Sequence, residues 1–393
     1  MPKPTVFRNR NRLSPRYIPK TLPHREKQLD FLNNIFDDIL EDPSQVYLRP
    51  VQVVGGVGTG KTCTTVRFIE NLREEAVDRD INLRHVYVNL KLQGSSRTVL
   101  YRYLLEKAAP ELRTASLSAD EMLSQLVKYL GSRGIYLIVV LDEIEYFMKN
   151  TKEHIIYDLT RLNEISPDKP CKVVGLVVIS RGTDYYSLLE KSELSTLGRT
   201  YIEFPQYTSE QIRDILYARL EEAFKKGVVD DSVIDFIAEV TAAPPPNGDV
   251  RYALDLLLYA GNLADNQGAE RVRIDHARRV HGEVYHQITS EDIIDLPSHE
   301  KVVLLAVARA LRSKRSAYVS FEDIQRESVS LSEDLGIRLE KVDQVVQDLG
   351  YRGLVDIKSL VQIGISDVPV EDLARYLDNL MERVGSDLRE RKR

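Results

Sequence analysis

Residues 51–68 read VQVVGGVGTGKTCTTVRF. The β-branched, apolar run Val51–Val54 has the composition of a buried strand, and from Thr62 onward Val66, Ile69 and Leu72 recur on one face of a helix. Between them, Gly55 to Thr62 spell G-x-x-x-x-G-K-T, the spacing of a loop that cradles a nucleotide's phosphates. The residue types follow from the chemistry. Gly55, Gly56, Gly58 and Gly60, with Val57 and Thr59 between them, let the backbone wrap a polyanion closely, and the amides that open the helix through Cys63 donate to its oxygens. Lys61 is placed to reach the β- and γ-phosphates, and the Thr62 hydroxyl to ligate Mg²⁺.

Such a loop needs a carboxylate at the tip of a neighbouring buried strand. IYLIVVLDEIE, residues 135–145, supplies it. Asp142 is expected to orient the metal and its waters, and Glu143 to polarise the water that attacks the γ-phosphate. Two acids ending an apolar strand are costly unless a cation meets them.

At 393 residues the chain has room for two or three domains. Its longest uninterrupted apolar run, Ile135–Leu141, is far short of the ~20 residues that span a bilayer, so no membrane segment is expected. The N-terminus is basic without a following apolar core, which does not read as a secretory signal and points to the cytoplasm. Cys63 and Cys171 are too few for a disulfide framework. His276, His281 and His286 recur every five residues, which scatters them around a helix and argues against a structural zinc. A net charge of −6 argues against wholesale coating of nucleic acid. The charge is uneven, however: residues 1–25 hold Lys3, Arg8, Arg10, Arg12, Arg16, Lys20 and Arg25 with no acid, and the chain closes on RERKR.

Further strands are expected at HVYVNL (85–90), KVVGLVVIS (172–180) and TYIEF (200–204), with helical stretches between, roughly 97–130 among them. Alternating strands and helices predict an α/β fold, a mostly parallel sheet covered on both faces. From Tyr207 the pattern turns all-helical, opened by an N-cap at Thr208 or Ser209. The acidic, proline-closed SEDIIDLP (290–297) reads as a linker. Beyond it, helices at 299–312, 320–328 and 338–349 followed by LVDIKSLVQIGI give the order of a winged helix. The expected domains are 1–205, a nucleotide-binding domain with an N-terminal arm, then 206–292, a helical lid, then 293–393, the winged helix.

LSPRYIPKTLPHRE, GGVGTGKT, LDEIE, FPQYTSEQIRDIL and NGDVRYALDLLLYAG together resemble the archaeal origin-recognition and cell-division-control replication initiators, a branch of the AAA+ ATPases. The resemblance extends over nearly the whole chain. It implies an ATP/ADP site in which His24 and Arg25 border the adenine with Tyr17 nearby, while Tyr207 and Ile215 close the pocket from the lid. It also implies that Arg251 is the lid arginine that reports on the terminal phosphates, a task suited to a permanently charged planar fork. The implied partners are duplex DNA at replication origins, other initiator paralogues and a replicative helicase, and the implied location is the nucleoid. Two positions depart from the family pattern. ISRGTD puts Ser180 and Arg181 where an asparagine is usual, and LEKSELSTLG puts Ser192 where the family offers an arginine finger; Arg199 lies close by but is not assigned that role. Both departures imply tight nucleotide binding with slow turnover.

Duplex contacts are expected from Arg338, Lys341, Gln344 and Gln347 on the recognition helix, types that meet phosphates and adenine edges. The resemblance adds Lys91, Ser95, Ser96 and Arg97, just after the second strand. Glu340, Asp343 and Asp348 dilute the helix's charge. That leaves open a different class, a remodeller or clamp-loader-like ATPase acting on protein partners.

Overall fold

The computed structural model describes residues 5–94, 96–165, 171–284, 293, 296–339, 341–351, 354–365 and 370–390. They form two compact units. One is the continuous stretch Ile18–Tyr207; the other joins the chain's start, up to Tyr17, to everything from Thr208 on.

The continuous unit is built on five strands, β1 (Arg49–Gly55), β2 (Leu83–Asn89), β3 (Tyr136–Asp142), β4 (Val173–Ser180) and β5 (Tyr201–Phe204). Their order across the sheet is β2-β3-β4-β1-β5, and every neighbouring pair is parallel. Alternate residues feed two cores, as the strand's two-residue period requires. Leu137, Val139 and Leu141 of β3 join Leu104 and Leu126 from the helices Arg97–Ala108 and Ala119–Arg133 on one face. Ile138 and Val140 join Phe36 and Phe68 from Glu26–Phe36 and Lys61–Asp78 on the other. The stretch expected as one helix over 97–130 is thus two, because Pro110 interrupts it and Ser118 starts the second helix with a reciprocal cap to Glu121. All eight residues of β4 are buried, so the parallel sheet predicted from continuous apolar runs is what forms.

Gln52, in the middle of β1, is wholly buried. Its amide nitrogen donates to the carbonyls of Gly198 (3.0 Å) and Thr200 (3.3 Å), and its oxygen accepts from the hydroxyls of Tyr185 (2.5 Å) and Tyr186 (2.9 Å). Burial pushes the Tyr185 phenol up, keeping it a donor. These bonds fix the strand that carries the glycine loop.

The discontinuous unit begins with lid helices Ser209–Ala223, Asp231–Ala242, Val250–Gln267 and Ile274–Val284. Thr208 is the N-cap of the first, in a capping box with Gln211. The arm that the sequence reading joined to the nucleotide-binding domain groups here instead: Thr5 and the Val6 amide donate to Asp265 at 2.5 and 2.8 Å, and Phe7 lies 4.6 Å from Phe224 between ring centroids. The linker 290–297 lies largely outside the described residues, and with it the expected boundary between lid and winged helix.

Next come helices Ser298–Lys314, Phe321–Leu335 and Val342–Tyr351, and strands β6 (Tyr318–Val319), β7 (Asp356–Ser359) and β8 (Gln362–Gly364), in antiparallel order β6-β8-β7. This is the winged helix the sequence predicted, with two differences. The recognition helix starts at Val342, not 338, since Lys341 has a φ of 53° that no helix accommodates. An unpredicted helix, Val370–Glu390, packs on the first one, where Arg309 meets Asp378 at 2.8 Å. Lid and winged helix are bound to each other through Arg278, 1% exposed, which donates to the carbonyls of Ser316 and Ala317 at 3.2 Å each, and through Lys358, which meets Glu239 at 2.8 Å.

Replacing Gln52 with leucine keeps the volume but leaves two tyrosine hydroxyls and two carbonyls unpaired. The expected cost is about 3 kcal/mol, read as lost hydrogen-exchange protection of the β1 amides.

Candidate nucleotide-binding site

The loop Gly55–Thr62 leaves the end of β1 and enters the helix Lys61–Asp78, as the sequence requires. Gly60 is the N-cap residue at φ 85°, and a Cβ there would lie 2.8 Å from the Tyr207 hydroxyl. At Gly55 a Cβ would stand 2.3 Å from the Phe204 carbonyl oxygen. Glycine is therefore demanded twice, once by backbone angle and once by β5. Lys61 donates to the carbonyls of Gly55 and Gly56, both at 2.7 Å, which holds its ammonium in the concavity of the loop. Val57 is exposed, Thr59 is buried with its hydroxyl on the Gly56 carbonyl (3.0 Å), and Cys63 is half-buried in the first helical turn.

The tip of β3 stands directly beside this loop. Asp142 Oδ2 accepts from the Thr62 hydroxyl at 2.7 Å and from the Tyr87 hydroxyl at 2.6 Å, and Oδ1 accepts from the Glu143 amide at 2.8 Å. Asp142 is only 6% exposed, so these donors stand in for water around its charge. Burial, then the adjacent Asp142 charge, push the Tyr87 phenol up, which keeps its proton in place. Sequence reasoning missed Tyr87. A signal was there: β2 and β3 pair with Asn89 opposite Asp142, and Tyr87 is two residues back on the same face. Glu143 itself sits at φ 59° and ψ 45°, a left-handed conformation uncommon for a residue with a side chain.

Arg25 was expected at the border of the adenine pocket. It lies against the loop, 2% exposed, and donates to the carbonyls of Thr59 (2.9 Å), His24 (2.9 Å) and Pro205 (2.7 Å). Its guanidinium stacks on the Tyr207 ring, 3.8 Å from the centroid. Burial lowers the Arg25 pKa and raises that of Tyr207 to about 12. His24, just before it, has a φ of 64°.

Tyr17, Ile215 and Arg251 belong to the other unit. There Tyr17 donates to Glu222 at 2.6 Å between the guanidiniums of Arg12 and Arg219, Ile215 is buried, and Arg251 is exposed on the first turn of Val250–Gln267. Ser180 ends β4 with Arg181 exposed after it; Ser192 is half-buried in Lys191–Leu197, and Arg199 is exposed.

The residues expected on DNA divide as follows. Lys341, Gln344 and Gln347 are exposed together at the start of the recognition helix, with Arg338 exposed ahead of it. Lys91 is exposed in the short helix Leu90–Gln93. Ser96 is the N-cap of Arg97–Ala108, and Ser95 lies outside the described residues. Arg97 is committed elsewhere: its guanidinium pairs with Asp120 and, at 2.6 Å, with Asp158, and its amide donates to Glu153.

A parallel sheet of this order, with a glycine loop on the interior strand β1 and a hydroxyl–carboxylate pair beside it, defines a P-loop ATPase of the AAA+ class. Family models agree: residues 47–183 match an AAA domain and residues 213–282 the Cdc6 AAA+ ATPase-type lid domain. An ORC1-type DNA replication protein of Thermococcus kodakarensis is 35% identical over 77% of this chain and 72% of its own length, and a second, from Sulfurisphaera tokodaii, is 32% identical over 98% and 94%. Among solved structures, Cdc6p from Pyrobaculum aerophilum superposes with a TM-score of 0.80 at 27% identity, covering 96% of this chain and 99% of that one. The Aeropyrum pernix ORC1 protein, solved in complex with DNA, gives 0.62 at 30% identity with the same coverage. The chain belongs to the ORC1-type DNA replication proteins, and it is an AAA+ ATPase of the replication-initiator type.

Replacing Arg25 with leucine leaves three carbonyls without their donor. Expected is a destabilisation of about 3 kcal/mol and weaker nucleotide binding, measured by thermal shift with and without ATP. Lysine should restore little, since an ammonium lacks the planar fork that reaches all three.

Proposed function

We propose that the chain binds and deforms duplex DNA at replication origins, with bound ATP and its slow hydrolysis as the switch. The observation that carries the nucleotide switch is the approach of the Thr62 hydroxyl and the Asp142 carboxylate, 2.7 Å apart beside the glycine loop. Two hard oxygens on rigid elements, one anionic, are a donor set suited to Mg²⁺. Mg²⁺, when bound, would neutralise charge on the β- and γ-phosphates.

The chain's own residues do the rest. Loop amides receive the phosphates, and Lys61 exchanges the Gly55 and Gly56 carbonyls for phosphate oxygens. Glu143 takes the proton of the attacking water. Arg251, exposed at the lid surface, is the group that distinguishes ATP from ADP. Because the lid is joined to the winged helix through Arg278, any change Arg251 imposes on the lid reaches Arg338, Lys341, Gln344 and Gln347. Lys91, Ser95 and Ser96 form the second contact with the duplex. Engaging it at two places bends it, so that specificity rests partly on deformability. The Aeropyrum pernix relative's complex with DNA supports this reading, and the two numbered proteins of Sulfurisphaera tokodaii support paralogues as partners. Helicase recruitment is the further step proposed, on the resemblance alone. Among the described residues no helix is long and apolar enough to cross a membrane.

Two measurements test the proposal. Titration calorimetry with Mg·ATP should give a binding isotherm for the parent and none for Lys61→Ala, with a parent turnover below about 1 s⁻¹. Footprinting of origin fragments at fixed salt should show protection above random DNA that differs between ATP and ADP and weakens in Lys341→Ala and Gln347→Ala. Equal protection of random DNA would sink the origin reading and favour a remodeller of protein partners.

A further inference from the structure

The tip of β4 carries a cation that the site's chemistry has not used. Ser180 ends the strand and donates to the Gly182 carbonyl at 2.9 Å, which turns the chain and projects Arg181. Its guanidinium spans two carboxylates: Nη2 lies 3.6 Å from Glu143 Oε1, and Nε lies 3.6 Å from Glu145 Oε1. Glu145 depends on this neighbour. Its other oxygen, Oε2, is buried with no hydrogen-bond partner among the described residues, so the nearby positive charge is what offsets its burial. Glu143, whose backbone is left-handed, is the other carboxylate within reach of that charge.

We infer that Arg181 is a latch on Glu143: a positioning residue that occupies the carboxylate with a cation and so restrains hydrolysis. The inference rests on reading Glu143 as the base for the attacking water. While the guanidinium stands at Oε1, that oxygen is engaged by the cation and has to be released before it can receive an attacking water. The pairing is loose, beyond hydrogen-bond length, and Arg181 is 56% exposed. That makes the latch weak and screened by salt, strong enough to slow the reaction and not to abolish it. Glu145 is the anchor that keeps the guanidinium at hand when Glu143 lets go. Slow turnover is then a property of one residue at the strand's end, separate from the lack of arginine at position 192.

The test is single-turnover hydrolysis by the full chain at saturating ATP, with nucleotide affinity measured in parallel. Arg181→Ala should hydrolyse roughly three- to fivefold faster than the parent, with ATP affinity changed less than about twofold. Arg181→Lys, which keeps charge without the fork, should fall between them. Raising salt to about 0.5 M should speed the parent toward the alanine variant and leave that variant unmoved. Glu143→Gln should lose at least about a hundredfold, and adding Arg181→Ala to it should change nothing. If Glu143→Gln works at the parent rate, the reading of Glu143 fails. If Glu143→Gln is inactive while Arg181→Ala is unchanged or slower, the latch is overturned; a slower rate assigns Arg181 to the reaction itself.

Discussion

A carboxylate at the end of an apolar strand must be matched or it will not stay charged, and the nucleotide end of this molecule is arranged around how Asp142 is matched. Its donors come from three directions: Thr62 from the loop helix, Tyr87 from the neighbouring strand, and the amide of Glu143 from its own chain. The first bond ties the glycine loop to β3, although β4 lies between their strands in the sheet. The last fixes the turn in which Glu143 takes its left-handed backbone. One desolvated charge thus sets the relative position of the glycine loop and the two acids at the tip of β3. Arg25 plays the complementary part with the opposite sign, a buried cation matched by three carbonyls that pins the loop to the segment after β5.

Much of this was legible in the sequence, because the features concerned are local. A strand, a glycine loop and a helix follow one another within residues 51–68, and an apolar run ending in Asp142 needs no knowledge of its neighbours. The parallel sheet followed from runs apolar on both faces, and the winged helix from the order of its elements. What escaped depends on register and long-range pairing. Tyr87 reaches Asp142 because β2 pairs with β3 at one particular offset, and Gln52 looks like an ordinary polar residue until Tyr185 and Tyr186 are folded over it. Arg97 reads as a free basic residue after a strand, yet Asp120 and Asp158, far along the chain, claim it. The start of the chain depends on pairing of the same range: Asp265 on a lid helix takes Thr5, Val6 and Arg10.

On the proposed reading, rate and grip are set by different parts of the chain. The loop, Lys61 and Arg25 concern how firmly a nucleotide is held, and all are rigidly supported. The tip of β4 concerns how fast it is consumed, and its groups are half-exposed and loosely paired. The lid and winged helix form a third element, made one piece by Arg278 and Lys358, and in the proposed switch its response follows the nucleotide state and not the hydrolytic rate itself.

The placement of the arm also dictates an order of assembly. Residues 18–207 are continuous and hold their own sheet, so that unit can complete itself as it leaves the ribosome. Residues 5–17, made before that unit, cannot follow it, because Thr5 bonds to Asp265, 260 positions later, and Phe7 packs where Gly261 leaves room for its ring. At synthesis rates of about 5–20 residues per second, Thr5 waits on the order of ten seconds or more for its partner. A stretch made ahead of the sheet is therefore among the last to find its place.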